Sequence, residues 1–577
     1  ETGKKYFGWH STDILNINQE NNMKKIILNF AIVVSGLFTA TSCIEEINPQ
    51  TDYASKDQTA DAPNAYQNFV DGITSSMIGQ VLYNANYPYD FGYPTFFQIR
   101  DVMGQDVVID DAGHWYQAWY TCSTSLGPRY AVAQFPWTIY YGWIKNCNTV
   151  LSLAGENPSE EHKIGAGIAL AMRAMYYMDM ARMFANKTYG LDKNAETVPI
   201  ITEQTALADL TNNPRATNEK MWNFIISDLD KAEEYLDGYT RTDITTPDKS
   251  VVYGLKARAY QVMEDWVNAE RYAKLAQEGY SMMSREEYLS RETGFNTPNS
   301  SWMFGLQFKS TDPVITNNDA DGSWGSFMYL EVNGSKCGYA SSYGYQFSID
   351  RHLYETIPAT DFRKKCFIDF KLDNLESSNE IIEALKEYSD YPEDVYSSGY
   401  DGVGPKTVGG FSLKFRAAGG PEGHSDQYIG FLGAVPLMRI EEMKLIEIEA
   451  AGMQNESRGI QLLTDFAKTR DAEYVYGKHN DSYYNYETSA FQNEVWWQRR
   501  VELWGEGFAT FDIKRLNKGI IRSYANTNHI ETFRWNVQTP PDWMNLCIVE
   551  TETNYNPACT NNPTPIAPTS DSSEYQW

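Results

Sequence analysis

VVYGLKARAYQVMEDWVNAERYAKLAQEGY, Val251 to Tyr280, carries the clearest architectural signal in the chain. It divides at Asp265 and Trp266 into two helix-length segments. Two helices joined by so short a turn pack against each other, and the crossing needs small side chains. Ala257, Ala269 and Ala276 supply them, while Tyr260 takes the aromatic position of a tetratricopeptide hairpin. One such hairpin cannot bury its apolar faces alone, so neighbours of the same kind are required.

Working outward, two further pairs qualify. Gly165 to Ala185, GAGIALAMRAMYYMDMARMFA, pairs with Met221 to Leu236, and Arg439 to Gly452 pairs with Arg458 to Arg470. Their uneven spacing predicts repeats separated by long insertions. Helical periodicity also appears over Ala65 to Leu82, from Phe135 through Leu151, and over Glu494 to Arg515. FFQIRDVMGQDVVID, Phe96 to Asp110, reads as helical at first and then mixed. Between Ser281 and Pro436 glycine, serine, asparagine and tyrosine dominate, predicting loops with short strands. The polar, proline-containing end from Thr553 reads as a surface strap or a frayed segment. The fold class is mainly α, with repeats within about 135–280 and 436–520 and a loop-rich insertion over about 281–435.

Ahead of this body lies MKKIILNFAIVVSGLFTATSCIEE, Met23 to Glu46. Lys24 and Lys25, an apolar run and small residues before Cys43 give the layout of a secretory signal over 23–42. Cys43 in that place resembles a lipobox cysteine, the point of lipid attachment, and Glu45 and Glu46 resemble a surface-export tag. Residues 1–22 read as a mis-called or non-native leader, and 43–64 as a flexible, lipidated tether. No later stretch is long and apolar enough for a membrane helix.

The totals narrow the ligand. The net charge is −28, from 76 acidic against 48 basic residues, which opposes nucleic acid and disfavours polyanions. Seven cysteines without a C-x-x-C pair and seven histidines argue against a zinc site, so free buried cysteines are expected. No cofactor is expected, and structural calcium is not predicted.

Three motifs in order, ALAMRAMYYMDMARMFA, VPLMRIEEMKLIEIEA (Val435 to Ala450) and WWQRRVELWGEGFATFDIKRLNKG (Trp496 to Gly519), together with the lipobox, resemble the SusD-like (RagB/SusD) family of Bacteroidetes outer-membrane lipoproteins. The resemblance implies about four tetratricopeptide-like hairpins across residues 65–577, with a loop-rich half holding the ligand. It also implies surface exposure on the outer membrane and a SusC-like TonB-dependent β-barrel transporter as partner, over which the chain acts as a hinged lid. Read by themselves, the charges of the last two motifs are fold signatures: Glu441, Glu442, Glu447 and Glu449 form a solvated or paired face, and Arg499, Arg500, Glu502, Glu506, Asp512, Lys514 and Arg515 suit a helix with internal ion pairs.

Catalysis is not expected. Asp101 with Asp106, or Asp110 with Asp111, could in principle serve glycoside hydrolysis, but nothing marks either pair as opposed across a cleft. No G-x-S-x-G, P-loop or H-E-x-x-H spacing is present. Aromatics make up 14% of the chain, and sugars are held by aromatic platforms beside planar polar groups. Two loop sets offer that mixture: Tyr89, Asp90, Arg100, Asp101, Trp115 and Trp119, then Trp324, Tyr329, Tyr339, Tyr343 and Tyr345, with Arg416 as a loop cation. The expected function is capture of oligosaccharides and their delivery to the transporter. The alternatives are an oligopeptide-binding lid of the RagB type, a surface glycosidase, and a lid without strong affinity of its own.

Overall fold

The computed structural model describes residues 64–80, 82–83, 87–109, 113–316, 322–337, 346–397, 407–563, 569 and 572–577. The leader, the signal segment with Cys43 and the tether lie outside them, as do Asp110, Asp111, Tyr339, Tyr343 and Tyr345.

The principal helices are α1 (Ala65–Ser75), α2 (Thr95–Val102), α3 (Ala131–Ala154), α4 (Glu160–Phe184), α5 (Asn218–Tyr235), α6 (Lys249–Met263), α7 (Trp266–Ala276), α8 (Ile440–Gln454), α9 (Glu456–Lys468), α10 (Ala490–Glu502) and α11 (Ala509–Arg515). From α3 to α9 each helix packs on the next, so α4/α5, α6/α7 and α8/α9 are the hairpins read from the sequence. Small residues set the approach. Ala257, Ala269 and Ala276 are fully enclosed, and a Cβ on Gly459 of α9 would collide with the Gly452 backbone of α8. Asp265 caps α7 by accepting from the Asn268 N–H, which fixes the turn in Val251–Tyr280.

Three antiparallel ribbons sew distant segments together: β1 (Val107–Ile109) with β3 (Phe347–Ile349), β2 (Trp302–Leu306) with β4 (Val435–Arg439), and β5 (Ile520–Ile521) with β6 (Asn536–Val537). The first two anchor the mid-chain insertion to α2's neighbourhood and to the start of α8. Within the insertion, Leu330, Ile368, Leu385, Val395 and Phe411 belong to a small core of its own. The end segment is a strap: Asn562 donates to the Phe184 carbonyl, and Tyr575 bridges Tyr524. The six described cysteines are free and buried, as expected. Among the described residues no helix is long and apolar enough to cross a membrane.

Two helix boundaries differ from the sequence reading. The first helix ends at Ser75 with one 3-10 turn to Ile78, because the Met77 carbonyl is taken by the Tyr93 N–H at 2.7 Å. The Glu494–Arg515 helix is broken after Glu502, where Gly505 and Gly507 adopt φ of +77° and +80°. A side chain at either glycine would be strained.

That break lets the carboxylates of Glu502 and Glu506 meet cations from four separate segments. Glu502 is shared by Arg363 at 3.2 Å, Arg439 at 3.3 Å and Arg470 at 3.1 Å. Glu506 pairs with Arg439 at 2.7 Å and Lys414 at 2.6 Å. Glu441 takes Arg439 at 2.8 Å and Arg470 at 3.1 Å, and Asp361 holds Arg363 at 2.7 Å. Four carboxylates thus balance four cations, all buried. The motif acids are therefore a paired face: Glu442 binds Arg258, and Glu449 binds Arg515, each at 2.6 Å. The pairs are mostly tertiary rather than internal to one helix.

Removing Glu502 strands three buried guanidiniums. Glu502→Ala is expected to cost about 3–5 kcal/mol in urea denaturation. Burial alone would raise the Glu502 carboxyl, but Arg470, Arg439 and Arg363 hold it well below the ordinary range. Its contribution is therefore present above the unfolded value of about 4.3 and disappears only as pH falls through the lower folded value. The stability gap between the wild type and Glu502→Gln should persist down to pH 4 and narrow only in stronger acid.

Candidate functional site

The two loop regions singled out in the sequence do converge. Phe91 and Tyr116 lie 5.8 and 5.3 Å from Phe327, Phe97 lies 5.9 Å from Trp324, and Gln80 Nε2 donates to the Gly322 carbonyl at 3.1 Å. The β1–β3 ribbon closes the same junction.

Most of the residues expected to bind glycan there are enclosed, which corrects their reading as a stacking surface. Tyr89 is wedged edge-on against Trp119 and Phe135 at 5.0 and 5.2 Å, and Trp324 against Phe415 at 5.1 Å. Tyr329 is likewise buried. Asp90 accepts from the N–H groups of Leu82 and Tyr83 at 3.0 and 2.6 Å. Arg100 pairs with Asp179 at 3.2 Å and donates to the Phe96 carbonyl. Arg416 is buried against Glu331 at 2.5 Å rather than free in a flexible loop. Trp115 alone among the described candidates keeps part of its side chain accessible. Burying these rings against one another stabilises the loops, but a ring without an open face cannot stack on a sugar.

The acid pair is also accounted for. Asp101 accepts from the N–H groups of Gly507 and Ala509 at 2.9 and 3.1 Å. Burial still pushes its carboxyl up to about 7. Asp106 is held by Arg500, with contacts of 2.9 and 2.6 Å. The cavity beside them is about 20 Å³, room for water and not for a sugar ring.

An open cleft of about 370 Å³ lies on the outer side of the same loop. Its wall is the helical turn Gln117–Tyr120 and the segment that follows it. This turn buries Trp119 and Tyr120 inward, so Gln117 and Thr121 face outward, half-exposed with Ser123 and Ser125. The opposite wall is Thr532, Phe533 and Trp535. Arg522 fixes that wall: its guanidinium stacks on Trp535 at 4.3 Å and donates to the carbonyls of Val102, Gly104 and Tyr120. Phe533 packs edge-on to Tyr120 at 5.7 Å, and the Tyr120 hydroxyl meets His529 Nδ1 at 2.5 Å. Burial lowers the His529 imidazole to about 4, so this support is uncharged at neutral pH.

The lining contains an amide, hydroxyls and aromatic carbon, and no ionisable side chain. Hydroxyls and an amide both donate and accept, which matches a polyol. The other sizeable cavities are charged. The one of about 530 Å³ holds Asp71, Asp243 and Lys309, and that of about 310 Å³ holds Glu156, Arg173, Glu203 and Lys231. Sequence reading missed the cleft because its residues are small, common and separated by some four hundred positions. Thr121 to Ser125, TCSTS, a hydroxyl-rich run beside an aromatic-dense stretch, was the available signal.

A solenoid of helical hairpins with an insertion sewn to both ends defines the class, and comparison with known proteins narrows it. Residues 45–261 match the SusD-like family model described as starch-binding and associating with the outer membrane. A SusD-like carbohydrate-binding protein from Bacteroides vulgatus is 23% identical, with a TM-score of 0.65 over 86% of this chain and 96% of that one. A SusD superfamily protein from Bacteroides thetaiotaomicron is 19% identical, with a TM-score of 0.62 over 87% and 99%. A laminarin-binding SusD-like protein is 15% identical, with a TM-score of 0.56 over 86% and 98%. No curated protein matches. The chain has the SusD-like fold, and its first helical part matches that family's model.

Trp119→Ala and Trp324→Ala should each cost about 3–5 kcal/mol, as enclosed aromatics do. Gln117→Ala, on the surface, should stay within about 0.5 kcal/mol. Chemical denaturation of the three variants separates core from cleft.

Proposed function

We propose that this protein binds neutral oligosaccharides at the cell surface, in the cleft between Gln117–Ser125 and Thr532–Trp535, without cleaving them. The uncharged lining of hydroxyl, amide and aromatic groups carries the reading. Hydroxyls of a pyranose would pair with Gln117, Thr121, Ser123 and Ser125, and its C–H face would lie on Phe533. A peptide would bring charged termini and side chains for which this lining has no partner. The described acids offer no free general acid and base pair at Asp101 and Asp106.

The family's described association with the outer membrane supports attachment there, and Cys43 would carry the lipid. Captured sugar would pass to a TonB-dependent β-barrel transporter, with this chain as its lid. The laminarin-binding neighbour supports a neutral glucan as the first ligand to try.

Calorimetric titration of the protein with laminarin, other neutral polysaccharides and a mixed peptide pool tests the reading. A neutral glycan should bind, and Phe533→Ala or Gln117→Ala should weaken it by about tenfold, Gln117→Ala with an unchanged melting temperature. Binding of peptides alone would overturn the proposal.

A further inference from the structure

A second aromatic surface lies outside the cleft, on the segment Ser572–Trp577. The Tyr575 N–H donates to the Ser523 carbonyl at 2.8 Å, and Asn536 bonds to Ser572 and Ser573 at 2.9 and 3.1 Å. So held, the indole of Trp577 lies flat on the His352 imidazole, with centroids 3.4 Å apart and planes within 3°. Tyr483, Tyr575 and Tyr524 frame it at 4.7, 4.8 and 5.6 Å. Burial lowers His352 to about 4, so neutral rings stack at physiological pH.

Despite these contacts Trp577 remains 49% exposed. The imidazole covers one face of the indole. The ring is already immobilised, and a ligand stacking on it would lose little further side-chain entropy in the protein. Tyr486 stands beside Tyr575 and is 74% exposed. Glu487, Glu574 and Gln576 are exposed neighbours along the same two segments. An apolar plate fringed by phenol, amide and carboxylate fits a neutral pyranose, whose C–H face stacks while its hydroxyls reach the rim. The carboxylates oppose an anionic ligand.

We infer that Trp577, framed by Tyr483, Tyr575 and Tyr524, is a second carbohydrate-stacking platform that takes a neutral sugar ring of a long polysaccharide. The inference rests on the carbohydrate-binding reading and adds a site to it. Two weak sites on one protein raise retention of a polymer more than either raises affinity for a short oligomer.

Native electrophoresis through gels containing laminarin, amylopectin or a neutral mannan provides the test, on the wild type, Trp577→Ala, Trp577→Tyr and the double variant Gln117→Ala with Phe533→Ala. The polysaccharide that retards the wild type should hold Trp577→Ala about tenfold less tightly and Trp577→Tyr nearly as well. The same polysaccharide should protect Trp577 of the wild type from N-bromosuccinimide oxidation, read by mass spectrometry. Equal retardation of Trp577→Ala and wild type, with no protection of Trp577, would overturn this inference and leave the cleft standing. Absence of retardation of the wild type by every polysaccharide would overturn both.

Discussion

The carboxylate of Glu502, shared among Arg363, Arg439 and Arg470, ties the mid-chain insertion to the helical repeats. A buried charge is tolerated only where opposite charges and hydrogen bonds replace its water. Here the replacements come from segments far apart in sequence. Arg363 and Lys414 belong to the insertion, Arg439 to the end of β4, Arg470 to the turn after α9, Glu502 to the end of α10 and Glu506 to the break that follows it. The fold can close this balance only by bringing the insertion onto the helical repeats. The ribbons β1–β3 and β2–β4 complete the attachment with backbone hydrogen bonds.

That attachment decides where binding can happen. Once the insertion is drawn onto the helices, most of the described aromatic residues of the early and middle loops meet each other and lose their exposed faces. Tyr89, Trp119 and Trp324 then serve as the packing that keeps the loops in place. The outer side of the Gln117–Tyr120 turn stays open, held from behind by Tyr120, Arg522 and Trp535. The scaffold is charged and buried; the cleft it supports is neutral and open.

The hairpins were legible because their determinants are local. Alanines at helix crossings and a capping Asp265 act within a few residues, and the alternation of charge with large apolar groups in the last two motifs does mark paired acids. The break at Gly505 and Gly507 was less legible, since glycine in a helical pattern is compatible with either continuation or a turn. Strand pairing between Val107–Ile109 and Phe347–Ile349 depends on long-range packing that no local period encodes. The loop tyrosines and tryptophans misled for a related reason: an aromatic without a period reads alike in a core and on a surface. Phe533 gave no chemical signal until the fold set it across one cleft from Ser123 and Ser125.

Hydrogen–deuterium exchange of the protein with and without a bound neutral glycan tests the central claim, that the charged knot makes a rigid scaffold and binding occurs at its uncharged margin. Glycan-dependent protection is expected at Gln117–Ser125 and Ile530–Trp535, with slow, ligand-independent exchange in Arg439–Gln454 and Ala490–Glu502. Protection centred instead on Tyr89–Asp101 and Ser323–Met328, with Gln117–Ser125 unchanged, would contradict it.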